Sequence, residues 1–198
     1  MYIRHDTPFV SFPLTTDLNA IAIRLRFHTL LTVCSVYLPP NRSISIFELR
    51  SLISQLPAPF VLLGDFNARN QFWFDSTNNT KGRLLLAVIQ EFDLVILNDP
   101  SPTHYHQQSD SFSVIDLSIC SPDFPSDRHW HVHDDLCGSD HYPLLLHVLP
   151  LAPVSPRPHW VYRRADWPAF ELASRPNPAL ALRGRAVRAR RRRRYQRR

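Results

Sequence analysis

No apolar run of about 18 residues occurs in the 198-residue chain, so the sequence offers no helix able to span a membrane. Cysteine is scarce: Cys34, Cys120 and Cys137 make an odd number, and no two share a CxxC spacing. That pattern excludes a disulfide framework and a cysteine zinc site, and it suits a reducing compartment. The opening Met1-Tyr2-Ile3-Arg4-His5-Asp6 contains an acid, and prolines follow before any long apolar stretch, so it does not read as a secretory signal. The chain reads as soluble and intracellular, with no membrane partner. It begins abruptly. Internal repeats are also missing, which removes repeat architectures.

Acid is missing from one region in particular. Arg183 to Arg198 carries 10 of the 23 basic residues and no Asp or Glu. Residues 1–182 therefore hold 13 Lys and Arg against 17 acids, a net charge of −4, although the whole chain stands at +6. Such a tail either neutralises nucleic-acid phosphates without sequence preference or is a solvated extension. With 44% apolar and 11% aromatic residues, the chain is rich enough for one domain with a hydrophobic core. The organisation expected is a domain over residues 1–150, a Pro- and aromatic-containing linker over 151–182, and the Arg-rich tail over 183–198. Trp160, Tyr162, Trp167 and Phe170 are apolar anchors within that linker.

Periodicity supplies the elements. Ala20 to Phe27 alternates Ile21, Ile23, Leu25 and Phe27 with smaller or charged residues, as a half-buried strand does. Leu30 to Tyr37 is a second strand, joined to the first by a short connection at His28-Thr29, and Pro39-Pro40 ends it. Ser45 with Glu48 forms a capping-box signature for a helix carrying Ile46, Leu49, Ile53 and Leu56 on one side. Phe60 to Leu63 is a short buried strand, and a second helix is predicted over about Gly82 to Phe92. Leu94 to Leu97, Val114 to Ile119 and Pro143 to Val148 supply three more strands, with long loops at Asp99–Ser113 and Ser121–Gly138. Strands alternating with helices and hairpins predict a layered α/β domain.

Gly64-Asp65-Phe66-Asn67 and Ser139-Asp140-His141 fall where buried strands meet loops, and Ile115-Asp116-Leu117 sets a carboxylate inside an otherwise apolar strand. A carboxylate among apolar strand residues is costly unless a histidine, a metal or hydrogen-bond donors satisfy it, so one shared site is expected. Asp65 and Asn67 share a strand face if the extended geometry persists, and together they can orient water against a phosphate oxygen. An Asx turn ending the strand is the alternative for that pair. Asp116 can hold His141 in one tautomer while the imidazole stabilises phosphate charge. Alternatively, His141 bonds only a nearby carbonyl, and Asp140 simply caps its loop. His129, His131 and His133 alternate but lack an adjacent cysteine or acid pattern, so they carry no zinc assignment.

Read in order, Ser35-Val36-Tyr37-Leu38-Pro39-Pro40, Leu63-Gly64-Asp65-Phe66-Asn67-Ala68, Gly82-Arg83-Leu84-Leu85, Ile115-Asp116-Leu117 and Ser139-Asp140-His141-Tyr142-Pro143-Leu144 resemble the endonuclease/exonuclease/phosphatase superfamily. More narrowly, the chain is similar to the apurinic-type endonuclease domain of Jockey-like non-LTR retrotransposons. The match covers residues 1 to about 150, and Trp160 to Phe170 is similar to the start of a linker toward a reverse transcriptase. The resemblance implies a layered α/β sandwich with two mixed β-sheets flanked by helices.

It also implies a metal-dependent endonuclease that nicks DNA, with Mg²⁺, or Mn²⁺ in its place, as cofactor. The partners implied are DNA and the reverse transcriptase domain of an intact polyprotein, with the nucleus as the place of action. Asp65 would act on the attacking water, Asn67 would orient it, and His141 paired with Asp116 would neutralise the scissile phosphate. Tyr37 would hydrogen-bond that phosphate, Thr103 would support the site from a loop, and Ser139 would position the following turn. Arg69 falls on the substrate side, where retroelement relatives often carry histidine, and Asp140 is the metal-ligand candidate.

One departure bears on activity. Family domains open with a strand ending in asparagine and another carrying a metal-binding glutamate, and nothing before Tyr2 matches either. Glu48 and Glu91 follow too late to replace it. The expectation is an N-terminally truncated domain with impaired turnover. Two other readings accompany it: a Mg²⁺-dependent phosphatase of the same superfamily, and an inactive fragment that binds DNA through its tail.

Overall fold

The computed structural model describes residues 1–26 and 30–148. The His28-Thr29 connection, the linker at 151–182 and the tail at 183–198 lie outside the described residues. A mixed sheet of six strands forms the centre: β1 (Phe9–Phe12), β2 (Asn19–Arg26), β3 (Leu30–Tyr37), β4 (Phe60–Asp65), β5 (Val95–Ile96) and β8 (Asp116–Cys120), in the spatial order β1-β2-β3-β4-β8-β5. Within it β3 and β4 run parallel, joined through helix α1 (Ile46–Gln55), and the other neighbours are antiparallel. Two short antiparallel ribbons complete the strands, β6 (His104–His106) with β7 (Ser111–Ser113) and β9 (Arg128–Val132) with β10 (Leu144–Val148).

Each helix begins where its side chains cap it. Ser45 accepts from the Glu48 amide while Glu48 reaches back to the Ser45 amide, so both bonds of the expected capping box are present. Helix α2 (Thr80–Glu91) starts two residues before the expected Gly82, because Asn79 caps it by accepting from the Gly82 amide at 2.7 Å. Leu49, Leu52 and Ile53 of α1 and Leu85, Val88 and Ile89 of α2 pack on Cys34, Val36, Leu62, Leu117 and Ile119 of the sheet. Emptying one such leucine position costs about 2–5 kcal/mol. On the opposite face Leu31, Val61, Cys120 and Phe124 form a smaller core with Leu146 and Val148 of β10. The layers are thus helices, a mixed sheet and a β9–β10 pair, the layered α/β class expected. Trp130 of β9 ties that pair to the sheet by donating to Ser118 Oγ at 2.9 Å.

Covering both faces of the sheet changes the pattern read from alternation. In β2 the adjacent Ala22 and Ile23 are both buried, Ala22 in the helix-side core and Ile23 on the opposite face beside Tyr2 and Ile3, while Ile21 is 51% exposed. Val114 and Ile115 precede β8 rather than opening it, since their amides are taken by Asp75 Oδ2 and Thr103 Oγ1 instead of a strand partner. The ribbons β6–β7 and β9 occupy stretches expected to be loops. Their few apolar residues do not build the long alternation that marks a strand.

Candidate active site

Strand β4 delivers Asp65 to the end of the sheet, directly opposite Asp116 on β8 and beside Tyr37 on β3. The approach requires Gly64: its φ is +150°, and a Cβ there would lie 1.9 Å from the Val36 carbonyl oxygen. Past Asp65 the extended geometry ends, because Asn67 adopts φ 45°. Asn67 therefore reaches Asp65 by a turn rather than along a shared strand face. Its amide donates to Asp65 Oδ1 at 2.9 Å and its side-chain Nδ2 to Asp65 Oδ2 at 2.8 Å. Both readings of the Gly-Asp-Phe-Asn segment hold together, an Asx turn that also sets carboxylate and carboxamide side by side.

Across from this pair, His141 Nδ1 lies 2.8 Å from Asp116 Oδ2, which fixes the imidazole and leaves Nε2 free. Burial raises the Asp116 carboxyl above its ordinary value, and the bond and charge of His141, with the Thr103 hydroxyl, pull it back. Thr103 is wholly buried and its Oγ1 accepts from the amides of both Ile115 and Asp116, at 3.1 and 3.0 Å. Its backbone accepts from the Tyr142 amide at 2.8 Å, so one residue joins the carboxylate strand to the histidine turn. Ser139 shapes that turn, with Oγ accepting from the His141 amide at 3.1 Å.

Asp140 projects outward with its side chain 63% exposed, and its Oδ2 stands 3.8 Å from His104 Nε2. The His104 and His141 rings meet edge to face at 4.6 Å between centroids. Burial, then the neighbouring His141 charge, lowers the His104 pKa from its ordinary value. Asp65, Asn67, Thr103, Asp116, Ser139, Asp140 and His141 thus gather at one end of the sheet. Tyr37 is exposed beside Asp65 without a side-chain bond to it among the described residues. Arg69 turns to the buried Asp75, Nη1 to Oδ1 at 3.8 Å, rather than into the network of Asp65, Asp116 and His141.

The likeness to known proteins follows the same residues. A family model described as "Endonuclease-reverse transcriptase" matches residues 31–145, more than half of the chain. The chain belongs to this family. It is 31% identical over 143 residues to the RNA-directed DNA polymerase from mobile element jockey of Drosophila funebris, a match covering 70% of this chain and 15% of that protein. The probable RNA-directed DNA polymerase from transposon BS of Drosophila melanogaster is 28% identical over 142 residues, with 69% and 15% covered. The chain spans about 15% of the length of these relatives.

Among solved structures, the endonuclease domain of TRAS1, a telomere-specific non-LTR retrotransposon, superposes with a TM-score of 0.65 at 24% identity, covering 74% of this chain and 69% of that one. A 3′ phosphatase, NExo from Neisseria bound to a product DNA hairpin, gives 0.51 at 15% identity, with 71% and 72% covered. These two structures share the fold, and the family match together with the jockey relative bears out the resemblance to the endonuclease/exonuclease/phosphatase superfamily and its Jockey-like members.

Several supports of this endonuclease–reverse transcriptase family member carry no signal in sequence. Asn98 grips one edge of β8 at two points, donating to the Asp116 carbonyl and accepting from the Ser118 amide, each at 2.9 Å. Asp75 accepts from the Val114 amide at 3.0 Å. Lys81 donates to the carbonyls of Pro39 and Pro40 and so holds the segment following Tyr37. Only position in the fold distinguishes these from ordinary surface polar residues. His104 is another such residue, brought to His141 by the β6–β7 ribbon.

Proposed function

We propose that this chain cleaves DNA by phosphodiester hydrolysis, nicking a target strand for the reverse transcriptase domain of a longer polyprotein in the nucleus. The observation that carries the reading is the Asp116–His141 pair at 2.8 Å standing across the strand end from the Asp65–Asn67 pair. In hydrolysis, water oxygen bonds to phosphorus, the bond to the leaving sugar oxygen breaks, and that oxygen takes up a proton. Asp65 accepts a proton from the water, with Asn67 fixing the carboxylate. His141 presents Nε2 to a non-bridging phosphate oxygen and Asp116 balances the imidazolium charge. Tyr37 adds a hydroxyl donor, and Thr103 and Ser139 hold the two halves in register. Arg69, paired with Asp75, takes no part in the step.

Superfamily likeness favours a divalent ion, and Mg²⁺ supplies charge neutralisation at phosphate oxygens when bound. Mg²⁺ takes oxygen ligands in near-octahedral geometry. Among the described residues, the His, Cys, Asp or Glu donors lying within 4.8 Å of one another are His104, Asp140 and His141, two of them imidazoles. That donor set does not match Mg²⁺. Glu48 is engaged by Ser45 and Arg42, and Glu91 by Arg50, so neither joins Asp65. Turnover is accordingly proposed to be slow.

The test is nicking of supercoiled DNA by purified residues 1–198 with Mg²⁺, Mn²⁺ or EDTA, beside an Asp65→Ala/His141→Ala protein. Ion-dependent nicking absent from the double variant supports the proposal. A folded sample that binds DNA, leaves it intact with every ion and loses binding when 183–198 is deleted would be the inactive binding fragment instead. Release of phosphate from small phosphomonoesters without nicking would favour the phosphatase reading.

A further inference from the structure

The geometry points to a binding site for a nitrogen-preferring divalent ion of the Zn²⁺ class, formed by His104, His141 and Asp140. Their donor atoms all lie within 4.8 Å of one another. Each imidazole already has one nitrogen anchored. His141 Nδ1 is held by Asp116 Oδ2 at 2.8 Å, and His104 Nδ1 is held by Ser113 Oγ at 3.3 Å. Both anchors leave Nε2 as the free donor, and His104 Nε2 stands 3.8 Å from Asp140 Oδ2. A carboxylate or hydroxyl behind each ligating histidine is the usual outer support of a metal centre, since it fixes ring orientation and tautomer.

Two histidines and one carboxylate are a donor set used by zinc, with a fourth position open. Metal bonds of about 2.0–2.1 Å place tetrahedral donors roughly 3.3 Å apart, so closing the set from within 4.8 Å needs shifts of up to about 1.5 Å, within reach of side-chain rotation. The backbone presents the three residues together: His104 and His141 form an isolated β-bridge, and the Tyr105 amide donates to the Asp140 carbonyl at 2.8 Å. His104 and Asp140 also line an open cleft of about 820 Å³, which leaves room for water or a phosphate oxygen at the fourth position. A bound ion takes the Nε2 of His141, so it competes with the phosphate at that nitrogen. The site goes beyond the cleavage reading, because occupancy requires no turnover.

A second imidazole cluster must be silenced in the test. His129, His131 and His147 crowd the outer face of β9–β10, with ring centroids 5.2, 5.7 and 6.4 Å apart. Residues 1–198 carrying His129→Asn, His131→Asn and His147→Asn are titrated with Co²⁺, read by its visible absorption, and then with Zn²⁺ as competitor. One equivalent of Co²⁺ displaced by Zn²⁺ is expected. Ser113→Ala should weaken binding about 10–100-fold, the usual effect of removing an outer partner. His104→Ala and the exposed Asp140→Asn should weaken it at least as much. No Co²⁺ band, or affinity unchanged in both His104→Ala and Asp140→Asn, overturns the site. Nicking activity is scored separately, so metal binding without nicking defeats only the cleavage reading, and nicking without metal binding here defeats only this one.

Discussion

The inner and outer halves of the candidate site are held by different means. Asp65, Thr103 and Asp116 stand on the central strands or are pinned against them, with Thr103 wholly buried and bonded to two strand amides. Ser139, Asp140 and His141 hang from a turn, and His104 belongs to a two-stranded ribbon outside the main sheet. The inner half is therefore part of the folding problem, and its residues cannot be changed without disturbing the core. The outer half can be altered for function while the core stays intact.

The comparison breaks first at Gly64. Its substitution by alanine forces a Cβ to 1.9 Å from the Val36 carbonyl in a backbone conformation that favours glycine, so strands β3 and β4 must separate. Destabilisation of about 3–5 kcal/mol is expected, or failure to fold, read by urea denaturation. A wild-type midpoint in Gly64→Ala would show that the inner half is not built on this close approach. Thr103→Val comes next. It keeps the shape but leaves the Ile115 and Asp116 amides without their acceptor, at about 1–3 kcal/mol for each buried donor. Both stability and nicking should fall together, which no outer residue should reproduce.

His141→Asn is expected to do the reverse. Loss of a group that stabilises developing phosphate charge lowers turnover about 10²–10³-fold, while urea stability falls less than in Thr103→Val, because the ring is 32% exposed and an asparagine can still donate to Asp116. A stability loss as large as that of Thr103→Val would erase the distinction between the halves.

How much of this was legible before the structure follows the same divide. Asp65, Asp116 and His141 announced themselves because charge interrupts apolar strands, and burial makes such interruptions rare without a partner. The capping box of Ser45 and Glu48 is a local motif and appears as read. Asn67 reached Asp65 by a left-handed turn that no alternation pattern encodes. Asp75 and Asn98 serve amides far along the chain, so their roles exist only once β8 is in place. The β6–β7 ribbon is three residues a side, too short for periodicity to register, and it is the element that carries His104 to His141.

The smallest effect tests that last placement. Burial holds the folded His104 pKa below its ordinary value of 6.5, whereas the unfolded chain titrates near it. As pH falls through 6.5 the unfolded state takes a proton before the folded state does, so stability declines with falling pH until the folded value is passed. Above 6.5 both states are neutral at this residue, and the contribution is constant. His104→Gln removes that proton difference, so its Tm should fall less steeply than the wild type between about pH 7 and 5. The difference between the two curves isolates His104, because every other histidine is present in both proteins. Parallel curves would mean that the ribbon leaves His104 solvated and does not screen its ring from water against His141.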